Sequence, residues 1–452
     1  MSNWFAGIGL AGSGLEAARY GLTVVGQNMT NAATVGYTRQ TVQQAAVDMG
    51  TVTAVQTGRG SLGGVTVTGT ARSTDAVLDA RVRSEHALGQ LADTSASQLV
   101  SAESIFGEPS DSGLAAQLDS FWKAWGPVAS ATTDASAAST RTVLLRDAST
   151  VVTTLNSMST SLSNLVAGTA QSLSADVDTV NAAATQLAQV NGAIAIGTAT
   201  GASVNSLLDQ RDQLLDTLSK TGGATTTIET NGTATVTLGG QTLVTGDTAA
   251  AVSVDASYTV SVDGAAATVT SGTMGARIGA LTTTFPSYQS SLDTVADALS
   301  STVNNAMAGG YDQNGNAGTA MFSGSGAAGI TLAITDPSAV AVSATAGTKD
   351  TSIALTLSQS ALEAGSADSL YSAFIGNIAA SSAAAQQRST AQGAVSTYVD
   401  GLKQSMSGVS IDEEAANMLV YQQAFNASSR VLTAIDSMLD TLINHTGLVG
   451  RS

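Results

Sequence analysis

Near the start of the chain, apolar residues recur at alternating steps of three and four: Ile8, Ala11, Leu15, Ala18, Leu22, Val25 and Met29. On an α-helix that spacing makes one narrow stripe, the a/d seam of a coiled coil. Met418, Tyr421, Phe425, Leu432, Ile435, Leu439 and Leu442 repeat the pattern at the other end, with Ser428 as its polar exception. The stretch SIDE ahead of that run predicts a capping box, in which Ser410 caps the free amides and Glu413 reaches back. Both chain ends are therefore predicted to be seam-forming helices, each the natural partner of the other. The N-terminal one contains Gly12, Gly14, Gly21 and Gly26, each unfavourable by up to about 1 kcal/mol relative to alanine, so burial rather than propensity must order it. Two helices leave flanks of Ala, Gly and Ser that can pack closely against further subunits. We expect termini that order on assembly into a dense tube, with Ile8, Leu15, Leu22, Val25 and Met29 facing Met418, Phe425, Leu432, Ile435, Leu439 and Leu442.

The same steps appear inside the chain at Leu144, Ala148, Val151, Leu155, Met158, Leu162 and Leu165, and again from Met274 through Ile278, Leu281, Phe285, Tyr288, Leu292 and Val295 to Leu299. Pro286 predicts a kink or a fresh helix start within the second run. Further helices are expected around 88–106, 177–194, 207–218 and 374–406. Phe121, Trp122 and Trp125 cluster at helical spacing and read as a core anchor. Between 222 and 270 the texture changes: threonine-rich alternation flanks Asn231-Gly232, and a second alternating run ends at Asp263-Gly264, both hairpin signals. Alternation over 330–344 predicts more strand, and a shorter β element is expected over 37–70.

The fold class expected is α+β, mainly α: an elongated multi-domain chain with paired terminal coiled-coil helices, a long-helix bundle and an inserted antiparallel β-domain. The predicted divisions are 1–36 with 410–452 for the terminal pair and 37–221 with 360–409 for the helical body. A β-rich outer domain is expected over 222–359, including a long helix near 274–308.

Composition narrows the function. A formal net charge of -17 on a chain only 11% charged argues against nucleic acid or anionic membrane as the main partner. With no cysteine there is no disulfide, thiolate metal site or cysteine nucleophile. No basic segment precedes an apolar run at the N-terminus and no window suffices to span a bilayer, so a cleaved signal and a membrane anchor are not expected.

Several motifs resemble chemical sites until their context is read. GIGLAG (Gly7 to Gly12) lacks a preceding strand and GRGSLG (Gly58 to Gly63) runs into a strand, so neither is a phosphate-binding turn. YDQNGNAG sets Asp312, Asn314 and Asn316 like calcium ligands, but Ala317 and Ser323 occupy the places of the turn glycine and the bidentate glutamate. His86 and His445 belong to no metal or triad pattern, and the acidic residues look scattered over solvated helix faces. No catalysis, metal or cofactor is expected.

The seam of the first helix breaks at NMTNAATVGYTRQ. Asn28 and Asn31 can offer side-chain hydrogen bonds where helix carbonyls lose their partners, and Gly36 can supply a turn of positive φ. This stretch resembles the Asn-x-Ala-Asn-x-x-Thr-x-Gly-Tyr-x-Arg-Gln signature of bacterial flagellar axial proteins, the rod, hook and filament family. Asn28, Asn31, Thr34, Gly36, Tyr37, Arg39 and Gln40 match, whereas Thr30 replaces the usual alanine and Val35 stands where proline is frequent. SGVSIDEEAANMLVYQQAFNASSRVLTAIDSMLDTLIN resembles the family's C-terminal helix. Gly58-Arg59-Gly60, LLDQRDQLLDTLS, YDQNGNAG and the ending DTLINHTGLVGR resemble the members that join hook to filament. The resemblance implies a ring of about eleven subunits, contacts with hook protein and a second junction protein, a cytoplasmic export chaperone, and type III export to the flagellum outside the cell. A second junction protein or a hook subunit is the alternative within the class. A secreted adhesin or surface enzyme on an axial scaffold is the alternative outside it, and no H-E-x-x-H insert supports that.

Overall fold

A computed structural model describes residues 2–47 and 63–445 of the chain. Helix α1 (Ser2–Asn31) leads through a turn to β1 (Gln40–Ala46), which pairs antiparallel with β2 (Val65–Arg72) around a bulge between Gln43 and Gln44. The helical body follows with α2 (Ala76–Phe106), α3 (Leu114–Ala129), α4 (Asp134–Thr200) and α5 (Asn205–Gly222). The segments expected as separate helices around Leu144–Leu165 and 177–194 are one. α4 runs unbroken for 67 residues, about 100 Å at 1.5 Å per residue. No proline falls within it, and its buried stripe continues from Leu144 to Ile194.

Strands β3 (Thr225–Ile228), β4 (Ala234–Leu238), β5 (Gln241–Thr245) and β6 (Thr248–Ala249) form an antiparallel sheet in chain order. A second sheet joins β7 (Val252–Val254), β8 (Val260–Val262) and β9 (Ala265–Ala267). Asn231-Gly232 connects β3 to β4 as expected. At the β8–β9 turn Asp263 and Gly264 both have positive φ, 49° and 80°, as a two-residue turn matched to strand twist requires.

After α6 (Gly272–Gly279) a π turn at Ala280–Thr284 precedes α7 (Phe285–Ala308), with Pro286 in its first turn. The backbone stays helical through Gly279, Ala280, Thr284 and Phe285, so Pro286 is accommodated by a π turn within a continuing helix and not by the fresh start anticipated from sequence. β10 (Phe322–Ser323), α8 (Gly326–Gly329), β11 (Thr331–Leu332) and α9 (Ser352–Gln359) lead to α10 (Ala367–Ser407) and α11 (Ile411–Asp440). The alternation at 330–344 overstates strand: β11 pairs only with β10, and Pro337 opens a 3-10 turn. Val340, Ala341 and Val342 are nevertheless buried. Tertiary packing, not ladder pairing, accounts for their apolar character. Of the described residues 68% are helical, in a mainly-α, elongated α+β fold.

One hydrophobic cluster extends through the body from Ala102 to Ile378, and it includes Val236, Val244 and Val262 of the sheets. Phe121, Trp122 and Trp125, at most 2% exposed, pack ring edge to ring face inside it. Leu292, Val295 and Leu299 of α7 join the same cluster, and α7 lies against α10 and α4. Described residues of α1 and α11 take no part in it.

Sheets and helices are joined by a repeated device. Asn28, Asn181, Asn191 and Asn304 each bond both the N–H and the C=O of a single residue, Gln40, Val252, Ala234 and Phe322 respectively, at 2.8–3.0 Å. A carboxamide carries the same donor and acceptor as a peptide group, so each asparagine supplies one ladder rung from a helix.

Candidate assembly joint

α1 and α11 pack antiparallel, with Gly7 near Ile435 and Gly21 near Tyr421. Of the residues expected at the seam, Val25 is buried, and Ile8, Leu15, Leu22, Met29, Met418, Phe425, Leu432, Ile435 and Leu439 are half-buried. Leu442 lies beyond α11, in the π turn Thr441–His445, and is 48% exposed. The glycines have two distinct roles. A Cβ on Gly7 would lie 3.0 Å from Ile435 Cδ1 and one on Gly14 2.9 Å from Ser428 Oγ, and one on Gly21 would enter the Tyr421 ring. Gly12 and Gly26 face open space. The polar exception at Ser428 thus fills a glycine hole.

At the inner end of the pair the motif residues converge. Asn28, 1% exposed, accepts from Tyr37 Oη at 2.8 Å and from the Gln40 amide at 3.0 Å, and donates to Gln40 O at 2.8 Å and Glu414 Oε2 at 3.0 Å. It does not serve the helix carbonyls, as expected of it, because α1 continues to Asn31. Asn31 takes that role alone, donating to Gln27 O at 2.9 Å and accepting from Thr34. Gly36 has φ +78°, and a Cβ there would strike Gln213. Burial, with Asp209 and Glu414 nearby, pushes Tyr37 up to about 12, so the phenol keeps the proton it gives Asn28.

Arg39 ties the joint to α11 through Nε to Glu414 Oε1 at 2.8 Å and Nη1 to Glu413 Oε2 at 2.9 Å. The capping box is half formed: the Glu413 amide reaches Ser410 Oγ at 3.4 Å, but the Glu413 carboxylate turns to Arg39 instead of back to the cap. A full positive charge outcompetes a backbone amide for that carboxylate.

Acidic residues read as scattered are gathered here. Asp209, Asp212 and Asp216 share one face of α5, being three and four residues apart. Arg72 Nη2 bonds Asp212 at 2.6 Å and Asp209 at 2.8 Å, and Arg211 bonds the other Asp212 oxygen at 2.6 Å. Burial opposes the charge on Asp212, yet Arg211 and Arg72 outweigh it and hold the carboxyl below its usual range. Burial raises Asp209 despite Arg72. His86, on α2, bridges Asp216 of α5 at 2.6 Å and Asp400 of α10 at 2.9 Å. A cavity of about 360 Å³ between the joint and the body is lined by Tyr37, Arg72, His86, Asp209 and Lys403, among others. The spacing within LLDQRDQLLDTLS, in a chain so poor in charge, was the available signal for this cluster. The Arg72 and Glu414 partners come from distant segments and left none.

Elsewhere, Asp312 Oδ1 accepts the amides of Asn314 and Asn316, both at 2.8 Å, so that loop closes on itself. Gly7 to Gly12 lie inside α1, not in a turn. Residues 48–62, which include Gly58-Arg59-Gly60, the last residues from 446 and the side chain of His445 lie outside the described set.

Residues 403–445 match the family model described as flagellar basal body rod FlgEFG protein C-terminal. With the paired chain ends and the joint motif, this defines the class as an axial protein of the bacterial flagellum. Residues 99–322 match the flagellar hook-associated protein FlgK helical domain. Flagellar hook-associated protein 1 of Bacillus subtilis is 28% identical over the whole of both chains. The protein of that name from Salmonella typhimurium is 30% identical over 49% of this chain and 39% of its own length. The fold also resembles the solved flagellar hook junction protein FlgK from Burkholderia pseudomallei, with a TM-score of 0.65 at 16% identity over 72% of this chain and all of that one. Together these matches support a flagellar hook-associated protein 1.

Proposed function

We infer that the chain is a structural component joining hook to filament, and that it assembles as a ring of about eleven subunits through its terminal helices. The observation that carries this reading is the α1–α11 pair, which stands apart from the body core while Leu419, Val420, Val431 and Ile443 remain 50–75% exposed. An exposed apolar helix face is stabilised by burial against other chains. The division supported is a terminal pair, 1–36 with 410–452, a helical body, 37–221 with 360–409, and a β-rich region over 222–359. The body and the β-rich region share one hydrophobic core, to which α7 contributes.

In this reading hook protein binds on one side and the second hook-associated junction protein on the other. A cytoplasmic flagellar export chaperone holds the C-terminal region before type III export, without a cleaved signal, and the protein acts outside the cell without catalysis or cofactor. Deleting residues 411–452 in the source bacterium should leave hooks without filaments and flagellin shed into the medium. Normal filaments on those cells would refute the reading.

A further inference from the structure

Rungs cross the α1–α11 seam at heptad spacing on both helices: Gly7 faces Ile435, Gly14 faces Ser428, Gly21 faces Tyr421 and Asn28 faces Glu414. Steps of seven on each side keep them in line. The glycine rungs are one device repeated, a knob in a hole, and differ only in the knob. A position without a Cβ accepts isoleucine, serine or tyrosine alike, so these rungs hold the helices close without distinguishing one heptad from the next. The Asn28 rung does distinguish. Glu414 is the one buried residue of α11 among those described, and its carboxylate bonds Asn28 at 3.0 Å and Arg39 at 2.8 Å. Displaced, it would be a buried charge without partners.

We propose that the Asn28–Glu414–Arg39 latch selects the register of a seam that otherwise permits a seven-residue slip. In the slipped pair Gly14 faces Ile435, Gly21 faces Ser428 and Asn28 faces Tyr421. The holes at Gly14 and Gly21 are filled again, and the cost falls on the latch, where Asn28 leaves Glu414, Gln40 and Tyr37. The slip is about 10 Å of axial travel. The connection over residues 32–39 supplies the slack, since such a segment reaches roughly 26 Å when extended. The terminal pair is thereby a two-position slide with one chemical stop.

The chain has no cysteine, so introduced pairs report register without background. An ideal Cβ on Gly14 stands 3.9 Å from Ser428 Cβ, a distance a disulfide spans. Gly14→Cys with Ser428→Cys therefore reports the native register, and Gly14→Cys with Ile435→Cys, one heptad out of line, reports the slipped one and leaves Gly21 unchanged. In the full chain under mild oxidation the first pair should close and the second should not. Adding Glu414→Ala should raise the yield of the second pair severalfold and lower that of the first. If the first pair still closes fully and the second stays open, the seam sets its own register and the proposal fails. Asn28→Leu removes the latch from the other helix. Should neither pair close in either variant, the latch holds the helices together rather than choosing between registers, which also overturns the proposal.

Discussion

Asn28 concentrates the chemistry of the joint, because its carboxamide joins the end of α1, the start of β1 and the start of α11. Asn28→Ala leaves the Gln40 amide, the Tyr37 hydroxyl and one Glu414 oxygen without partners, at a cost of about 2–3 kcal/mol. Hydrogen exchange should show the Gln40 amide opening while amides of the body core keep their protection. His86 gives a pH dependence of definite sign. The hydrogen bond it donates to Asp216 is the largest influence on it and, against burial, raises its pKa. A raised folded pKa contributes stability that is full below the unfolded value and is lost as pH rises through the folded one. Asp216 is lowered, with His86 and Lys220 overcoming burial, so its share is lost only as pH falls through its own folded pKa. The difference in melting temperature between the parent and His86→Gln should therefore be largest below the ordinary histidine value of about 6.5 and shrink as pH rises above it. A difference that grew with pH would mean a ring buried in its neutral form. Arg39 and Tyr37 were legible from the motif, but Glu414 was not, because a buried carboxylate at the start of a helix reads as an exposed N-terminal charge.

The terminal helices separate propensity from packing. Gly26 meets nothing within 4 Å of an added Cβ, so Gly26→Ala should stabilise α1 by up to about 1 kcal/mol. Gly21→Ala gains the same propensity but drives its methyl into the Tyr421 ring, and it should loosen the α1–α11 pair instead. Limited proteolysis within α11 compares the two, and equal protection in both variants would remove the holes from the account. The positions of seam residues were readable from the heptad. Which glycines are holes was not, because the identity of the facing residue depends on the register of a helix nearly four hundred residues away. α4 shows the converse limit: periodicity located its buried stripe in two places but could not show that nothing breaks the helix between them.

The body and the terminal pair fold on different terms. Since the core cluster runs from Ala102 to Ile378 without α1 or α11, a chain lacking residues 411–452 should melt cooperatively, with a midpoint shifted by no more than about 4 °C. Calorimetry of that truncation also separates a failure to assemble from a failure to fold in the deletion described above. A body that unfolds with the loss of α11 would instead make the joint part of the core. The sequence alone determined the helical ends, the hairpin turns, the aromatic anchor and the family motif, because each depends on side-chain periodicity or on backbone preferences over a few residues. The tertiary structure alone decided that α7 belongs to the body core, that four asparagines on three helices stand in for strands, that α5 gathers its aspartates under Arg72 and His86, and that Glu414 closes the joint. Those outcomes depend on which distant groups meet once water is excluded, and no local pattern encodes a partner hundreds of residues away.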